Sequence, residues 1–440
     1  MTADFVFAGP TLRAAEVGSL LPGARIMPPV RHGDLLRLGA GAGDRVLIID
    51  GLFLQSAPVR HREILHLLRH GVIVAGSSSM GALRAAELWQ YGMRGFGEIY
   101  RLYRDGVIDG DDEVAIVHGT AEEDHRGYSE PLVNIRIALR AAVTGGAIGE
   151  QDAQAMLDLA MAMPFRSRSF RAMDRAARGR ADVDAFSAWR SGRDTDAKAA
   201  DARLMLAAAA ADDPALCPVG PDDLPIRNVH TWLFDIWENT FCGDTAVGEW
   251  VGDADAIAAI RLAHPGFRDA HRRNLLARLT GVAADHPALT EHAAATARSM
   301  GLSVTGQAWL TGSDLALADD EALATLLVRT VGTYPAESRW GLPPQMRTPS
   351  MLAWGRKFVA AARMCNERLL GPSPRRRFRA EAIESAIAAL WKCDVSDVQA
   401  QAWDRGIADL GELRRIAEPF VAHLKVFGVP GPMPEPGTAG

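Results

Sequence analysis

Residues 72–88 read VIVAGSSSMGALRAAEL, and the fold turns on them. A short apolar run, Val72 to Ala75, stops at Gly76 and three serines, and good helix formers follow. This reads as a strand that turns directly into a helix. Three apolar runs precede it: FVFA at 5–8, ARIMPPV at 24–30 and RVLIID at 45–50. Between the last of these and Val72 lies PVRHREILHLLRHG, 58–71. Its Ile64, Leu65, Leu67 and Leu68 suit one helix face, Pro58 the first turn, Arg69 and His70 the last, and Gly71 the C-cap. Strands alternating with helices argue for parallel βαβ units, and continuous apolar strands for a sheet covered on both faces. The expected fold class is α/β: an N-terminal doubly wound, mostly parallel sheet followed by a largely α-helical C-terminal region.

The chain has 440 residues, enough for two or three cores, with 48% hydrophobic and 23% charged residues. A net charge of −6 gives no global electrostatic case for nucleic acid or an anionic membrane. No stretch approaches the roughly 20 apolar residues that span a bilayer, and the N-terminus lacks a signal-peptide pattern. The expected location is cytoplasmic. The four cysteines, Cys217, Cys242, Cys365 and Cys393, form no C-x-x-C pair, so neither a zinc knuckle nor a disulfide framework is expected.

From about residue 131 the pattern turns helical, through PLVNIRIALRAAVTGG, QDAQAMLDLAMAM and DAKAADARLMLAAAAA. The Pro/Gly/Asp-rich segment DDPALCPVGPDDLP (212–225) then marks a boundary. The organisation expected is an α/β core over 1–145, a helical continuation over 146–212, a linker at 213–225, a helical C-terminal domain over 226–426 and a disordered tail over 427–440. Eight of the ten tryptophans follow position 200, which argues for a second core there. In WLFDIWENTF (232–241), Trp232, Leu233, Ile236 and Trp237 are expected to pack into it.

Parallel α/β sheets hold ligands outside the carboxyl ends of their strands. The residues there are Gly9-Pro10-Thr11 after the first strand, a segment containing His32 after the second, Asp50-Gly51 after the third, and Ser77, Ser78 and Ser79 after the fourth. In one reading Ser79 is a nucleophile on an elbow, with Ser77 and Gly81 as its small neighbours. In another, the turn from Gly76 through Met80 to Gly81 is an anion nest or oxyanion hole. A plain capped turn is the alternative to both. A serine nucleophile needs a base; His61 and His32 lie near the rim and His118 follows another apolar run, with His61 and His118 the leading candidates. Asp50, ending an apolar strand, has to be hydrogen-bonded or functional. Gly9, Thr11, Arg84 and Glu87 complete the candidate substrate- or oxyanion-binding set; Arg84 and Glu87 can pair on one helix face. The acidic run DGDDEV (109–114) reads as solvated, and no metal or cofactor is expected.

VFAGPTL, IIDGLF with the following HREIL, GSSSMGALRAAEL, GEIYRLYRDGVIDGDDEVAIVHG and SEPLVNIRIAL together resemble the TfuA-like family in order and spacing. The resemblance is dense over about 4–140 and fades to about 210, although PFRSRSF (164–170) and DTDAKAADARLML (194–206) also look familiar. It implies a place beside a YcaO protein, which uses ATP to activate a peptide amide oxygen, with sulfide as nucleophile and a thioamide in a ribosomally made peptide as product. It also implies a hydrolase that releases the sulfide from a thiocarboxylated ubiquitin-like sulfur-carrier protein, with the precursor peptide as a further partner. Ser79, the amides of Met80 and Gly81, and His61 or His118 would fill the roles such acyl transfer needs. Residues 1–216 hold no cysteine, so no persulfide relay runs on them.

Two other readings stay open. The first is a non-catalytic activator or scaffold that binds YcaO. The second is a small-molecule α/β enzyme that shares only the fold. The basic stretch PSPRRRFRAEA (372–382) reads as an acidic-partner site or as a solvated helix start.

Overall fold

The computed structural model describes residues 2–440 apart from 54–55, 124, 218–219, 221–222, 227–230, 306–307, 333, 372–377, 432–433 and 435–440. Most of the basic run in 372–382 and of the expected tail therefore lies outside the described residues. The chain divides into two compact units, Met1–Val229 and His230–Gly440.

The first unit runs β1 (Asp4–Phe7), α1 (Ala14–Leu20), β2 (Arg25–Met27), α2 (Asp34–Arg37), β3 (Arg45–Ile48), α3 (His61–Arg69), β4 (Ile73–Gly76), α4 (Met80–Leu88), β5 (Arg94–Gly95) and α5 (Gly97–Arg104). Five further helices follow: α6 (Leu132–Thr144), α7 (Glu150–Ala162), α8 (Phe170–Ala177), α9 (Val183–Arg190) and α10 (Ala197–Ala210). The sheet order is β2-β1-β3-β4-β5, and every pairing is parallel. The winding direction reverses between β1 and β3, so the crevice at their carboxyl ends is the switch point of the fold.

Alternation along the strands puts Val6, Leu47, Ile49, Ile73 and Ala75 on one face. There they pack with Val17 of α1 and with Ala199, Ala202, Met205 and Leu206 of α10. Phe5, Phe7, Val46, Ile48 and Val74 point the other way and are also buried; on that face α3 and α4 pack on β4. Truncating Met205 or Leu206 to Ala would cost about 2–5 kcal/mol, the usual range for a buried aliphatic chain. A smaller core joins α6 to α9 through Ile135, Leu139, Met156, Met173 and Phe186.

Two local details differ from the reading of the sequence. Helix α3 starts at His61, beyond Pro58, because the buried Glu63 side chain accepts from the Arg60 amide (3.0 Å) and the Gly33 amide (2.8 Å). Part of 213–225 packs onto the first unit: Leu216 joins the core under α10, and Leu224 is buried beside Gly92.

The second unit opens with α11 (Trp232–Phe241), an antiparallel hairpin of β6 (Gly243–Ala246) and β7 (Glu249–Gly252), α12 (Asp253–Ala263) and α13 (Phe267–Thr280). It continues with α14 (Leu289–Ser299), α15 (Asp319–Thr330), α16 (Pro349–Leu370), α17 (Ala380–Trp391), α18 (Val398–Asp404), α19 (Leu410–Ala417) and α20 (Val421–Phe427). Its core gathers Ile257, Ile260, Phe267, Trp354, Phe358, Ile387 and Phe420. In α11 the core residue is Phe234, while Trp232 and Leu233 in the first turn are exposed, which corrects the packing expected for them. Among the described residues no helix is long and apolar enough to cross a membrane.

Candidate functional site

At the switch point, the Asp50 side chain bridges the ends of β1 and β3. Its Oδ2 accepts from the amides of Gly9 and Thr11, both at 3.0 Å, and its Oδ1 accepts from the Thr11 hydroxyl at 2.6 Å. The carboxyl is 1% exposed, and these three donors satisfy it without solvent. Gly9 and Thr11, candidates for holding an anionic ligand, thus direct their amides to an internal carboxylate.

The β4–α4 turn explains its own composition. A Cβ on Gly76 would lie 2.0 Å from the Gly81 carbonyl oxygen, and one on Gly81 would lie 1.8 Å from that of Ile48. Only glycine lets the helix start this close to the strand ends. The three serines then divide the polar work. Ser77 is fully buried, and its carbonyl accepts from the amides of Ser79 (2.8 Å) and Ala82 (3.1 Å). Ser78 is fully buried at φ +67°, and its hydroxyl donates to the Lys198 carbonyl at 2.7 Å. Ser79 turns its Oγ to the Nζ of Lys198 at 3.2 Å.

The strained backbone of this turn is therefore at Ser78, while the hydroxyl facing open space belongs to Ser79. That differs from a nucleophile elbow, where strain and nucleophile coincide. The amides are also heavily used: Ser79 and Ala82 donate to Ser77, and Gly81 donates to the Ile49 carbonyl at 3.3 Å. Of the four amides from Ser79 to Ala82, three are thus committed to protein carbonyls.

Lys198 stands in the first turn of α10 and is 3% exposed. Its Nζ donates to Ser79 and to the Val114 carbonyl (3.1 Å), and its amide donates to Asn134 Oδ1 (3.2 Å). Burial pulls its amine below the usual lysine range, while the carboxylates of Asp50, Asp196 and Glu130 work against that shift. The helix dipole at this position also disfavours a cation.

Asp50, Ser79, His118 and Lys198 line one cavity of about 500 Å³, walled on its apolar side by Leu52, Phe53, Ile116 and Phe165. His118 holds the Gly119 carbonyl with Nδ1 at 2.8 Å. A carbonyl only accepts, so Nδ1 carries hydrogen and a neutral ring offers Nε2 as an acceptor. Asp112, at the same cavity, pairs with the buried Arg168 at 3.0 Å.

His61 lies elsewhere. Its Nε2 meets Glu87 at 2.7 Å, Glu87 pairs with Arg84, and Arg84 Nε donates to the Val59 carbonyl at 3.2 Å. Burial works to raise the Glu87 carboxyl, but His61 and Arg84 together hold it below the usual range. None of His61, Arg84 and Glu87 lines the cavity. Among the described residues, no group of three or more His, Cys, Asp or Glu is placed to hold a metal ion.

Reading the sequence passed over Lys198. A usable signal was present: it is the only lysine in residues 1–229, in a stretch that otherwise uses arginine. Lysine can work as a neutral amine, and arginine cannot.

No curated protein matches the chain. The family model described as TfuA-like protein matches residues 50–169, a span that holds Asp50, Ser79 and His118 and stops short of Lys198. Over that stretch, about a quarter of its length, the chain is similar to the TfuA-like family.

Proposed function

We propose that the first unit hydrolyses a thiocarboxylate and hands the released sulfide to a YcaO protein for thioamide formation in a ribosomally made peptide. TfuA-like proteins are generally associated with YcaO proteins, and the thiocarboxylate would sit at the C-terminus of a small sulfur-carrier protein. The observation that carries this reading is the pairing of the Ser79 hydroxyl with a buried amine inside a cavity at the switch point.

Ser79 Oγ attacks the thiocarboxylate carbon while neutral Lys198 takes its proton. The ammonium returns that proton to sulfur as the C–S bond breaks, so hydrosulfide leaves and an acyl-serine remains. Water then attacks the ester, with Lys198 or the Nε2 of His118 taking its proton, and Ser79 regains hydrogen as the carboxylate departs. The sum is thiocarboxylate plus water giving carboxylate, hydrosulfide and one proton, which is lost to solvent. Of the four amides from Ser79 to Ala82, that of Met80 is the one left for oxyanion stabilisation, although Met80 is not among the residues that line the cavity. In this scheme His61 steadies the α3–α4 contact and takes no part in the chemistry.

The same committed amides also favour a second reading, in which the cavity binds a ligand and the unit activates YcaO without catalysis. Sulfide release from a thiocarboxylated carrier, measured for wild type, Ser79→Ala and Lys198→Met with and without YcaO, separates the two. Release that is lost in folded variants supports the hydrolase. No release under either condition, with YcaO thioamidation from free sulfide still enhanced, leaves the activator.

A further inference from the structure

The second unit contains a cavity of about 890 Å³ among α11, α13 and the segment from Val331 to Arg347. Three aromatic side chains reach it: Trp232, which is 47% exposed, Tyr334 and Trp340. Tyr334 and Trp340 meet edge to face, with ring centroids 5.5 Å apart. Two guanidinium groups also line it. Arg278 lies over the Tyr334 ring at 5.6 Å, and Arg347 hydrogen-bonds the Leu342 carbonyl through Nε (3.0 Å) and Nη2 (2.8 Å). His271 lines it as a neutral ring, because burial pulls it down to about 4.

The charge of this lining is one-sided. Neither Arg278 nor Arg347 forms an ion pair among the described residues, and no Asp or Glu belongs to the lining. The carboxylate that acts on Arg347 is that of Asp235, which is buried and already accepts from Ser338 (2.7 Å) and the Arg339 amide (2.9 Å). Partial desolvation, then the like charge of Arg278, pulls Arg347 below its usual range. Arg278 and Arg347 are both exposed residues, so their guanidiniums are open to an anion arriving from solvent. Two guanidiniums with no carboxylate in the lining, the flat aromatic walls and a volume in the range of ligand pockets describe one chemistry.

We infer that this cavity binds an aromatic carboxylate, its anion held between Arg278 and Arg347 and its ring against Trp340 and Tyr334. The ring and the carboxylate come either from a free small molecule or from neighbouring aromatic and acidic residues of a peptide. This inference uses no residue of the first unit and stands whether or not that unit is a hydrolase.

The test is calorimetric titration of the full chain with two probes, 1-naphthaleneacetate and the blocked peptide Ac-Glu-Phe-Glu-NH2. The neutral controls are 1-naphthaleneacetamide and Ac-Gln-Phe-Gln-NH2. Saturable binding of either acid, weakened about tenfold or more in its amide control and in Arg278→Gln/Arg347→Gln, supports the site. The acid that binds identifies the source. An unchanged thermal melt of the double variant shows that the loss is one of binding. Binding of neither acid, equal binding of the neutral controls, or binding that survives both substitutions overturns the proposal.

Discussion

The Nζ of Lys198 lies 3.2 Å from the Oγ of Ser79, although 119 positions separate the two residues in the chain. The contact is held from two sides. The Ser78 hydroxyl grips the Lys198 carbonyl at 2.7 Å, and Asn134 grips its amide at 3.2 Å. The lysine backbone is thus fixed by the residue next to the proposed nucleophile.

If Lys198 is the base, only its neutral form works, so hydrolysis should rise with pH along a limb centred below the ordinary lysine value of 10.5. Lys198→Met should abolish that limb and lower sulfide release by about 10²–10⁴-fold. Lys198→Arg should not restore it, because a guanidinium keeps its proton. The kcat/KM profile of wild type against both variants is the measurement.

Asp50 favours the charged form of Lys198. Asp50→Asn removes that influence, so the amine should lose its proton more easily and the limb should move to lower pH. The same change leaves the amides of Gly9 and Thr11 facing an amide group, at a cost of about 1–3 kcal/mol. Urea melts read the stability loss, and the pH–rate profile reads the shift; an unmoved limb would count against Asp50 as a tuning residue.

Ser78 and Ser79 should separate stability from activity. Ser78→Ala keeps the left-handed backbone and loses the bond to the Lys198 carbonyl, which should cost about 1–3 kcal/mol because that acceptor is buried. Ser79→Ala should melt close to wild type and release no sulfide. Equal effects of the two substitutions on both measurements would leave no special role for Ser79.

Gly81→Ala should destabilise the first unit by about 3 kcal/mol or more, at or above the upper end for overpacking. The clash is with the backbone of Ile48, at 1.8 Å, and a side-chain rotation cannot relieve it. Circular dichroism melts of this variant beside Gly41→Ala, whose Cβ would find its nearest neighbour at 4.0 Å, give the comparison.

Acid should weaken the second unit through His271. Its ring is buried, bonds the Asp404 carbonyl at 3.0 Å and titrates at about 4, against 6.5 for the free ring. Between those values the unfolded chain binds the extra proton, so stability falls as pH drops from 6.5 towards 4. Denaturant melts at pH 7 and pH 4.5 should differ less in His271→Gln than in wild type.

Much of the fold was legible because burial on both faces leaves continuous apolar runs, as in FVFA, RVLIID and VIVA. The edge strand β5 was not, since two residues, Arg94 and Gly95, form no pattern. The strand ends pointed to Asp50 and the serines, yet could not rank the histidines. Whether His61 or His118 reaches a cavity depends on packing far from either, and here His118 lines it while His61 meets Glu87. The part of the site that stayed hidden is the part supplied by α10, because a turn in sequence says nothing about which distant helix covers it.

The burial of Lys198 has a consequence for the life of the chain. Burial is what lowers the hold of this amine on its proton, and α10 supplies that burial only once it lies against the sheet. A nascent or partly unfolded chain carries an ordinary protonated lysine and an inert serine. Under the proposed mechanism, assembly of the domain itself would arm the chemistry, and an unfinished copy would be a harmless one.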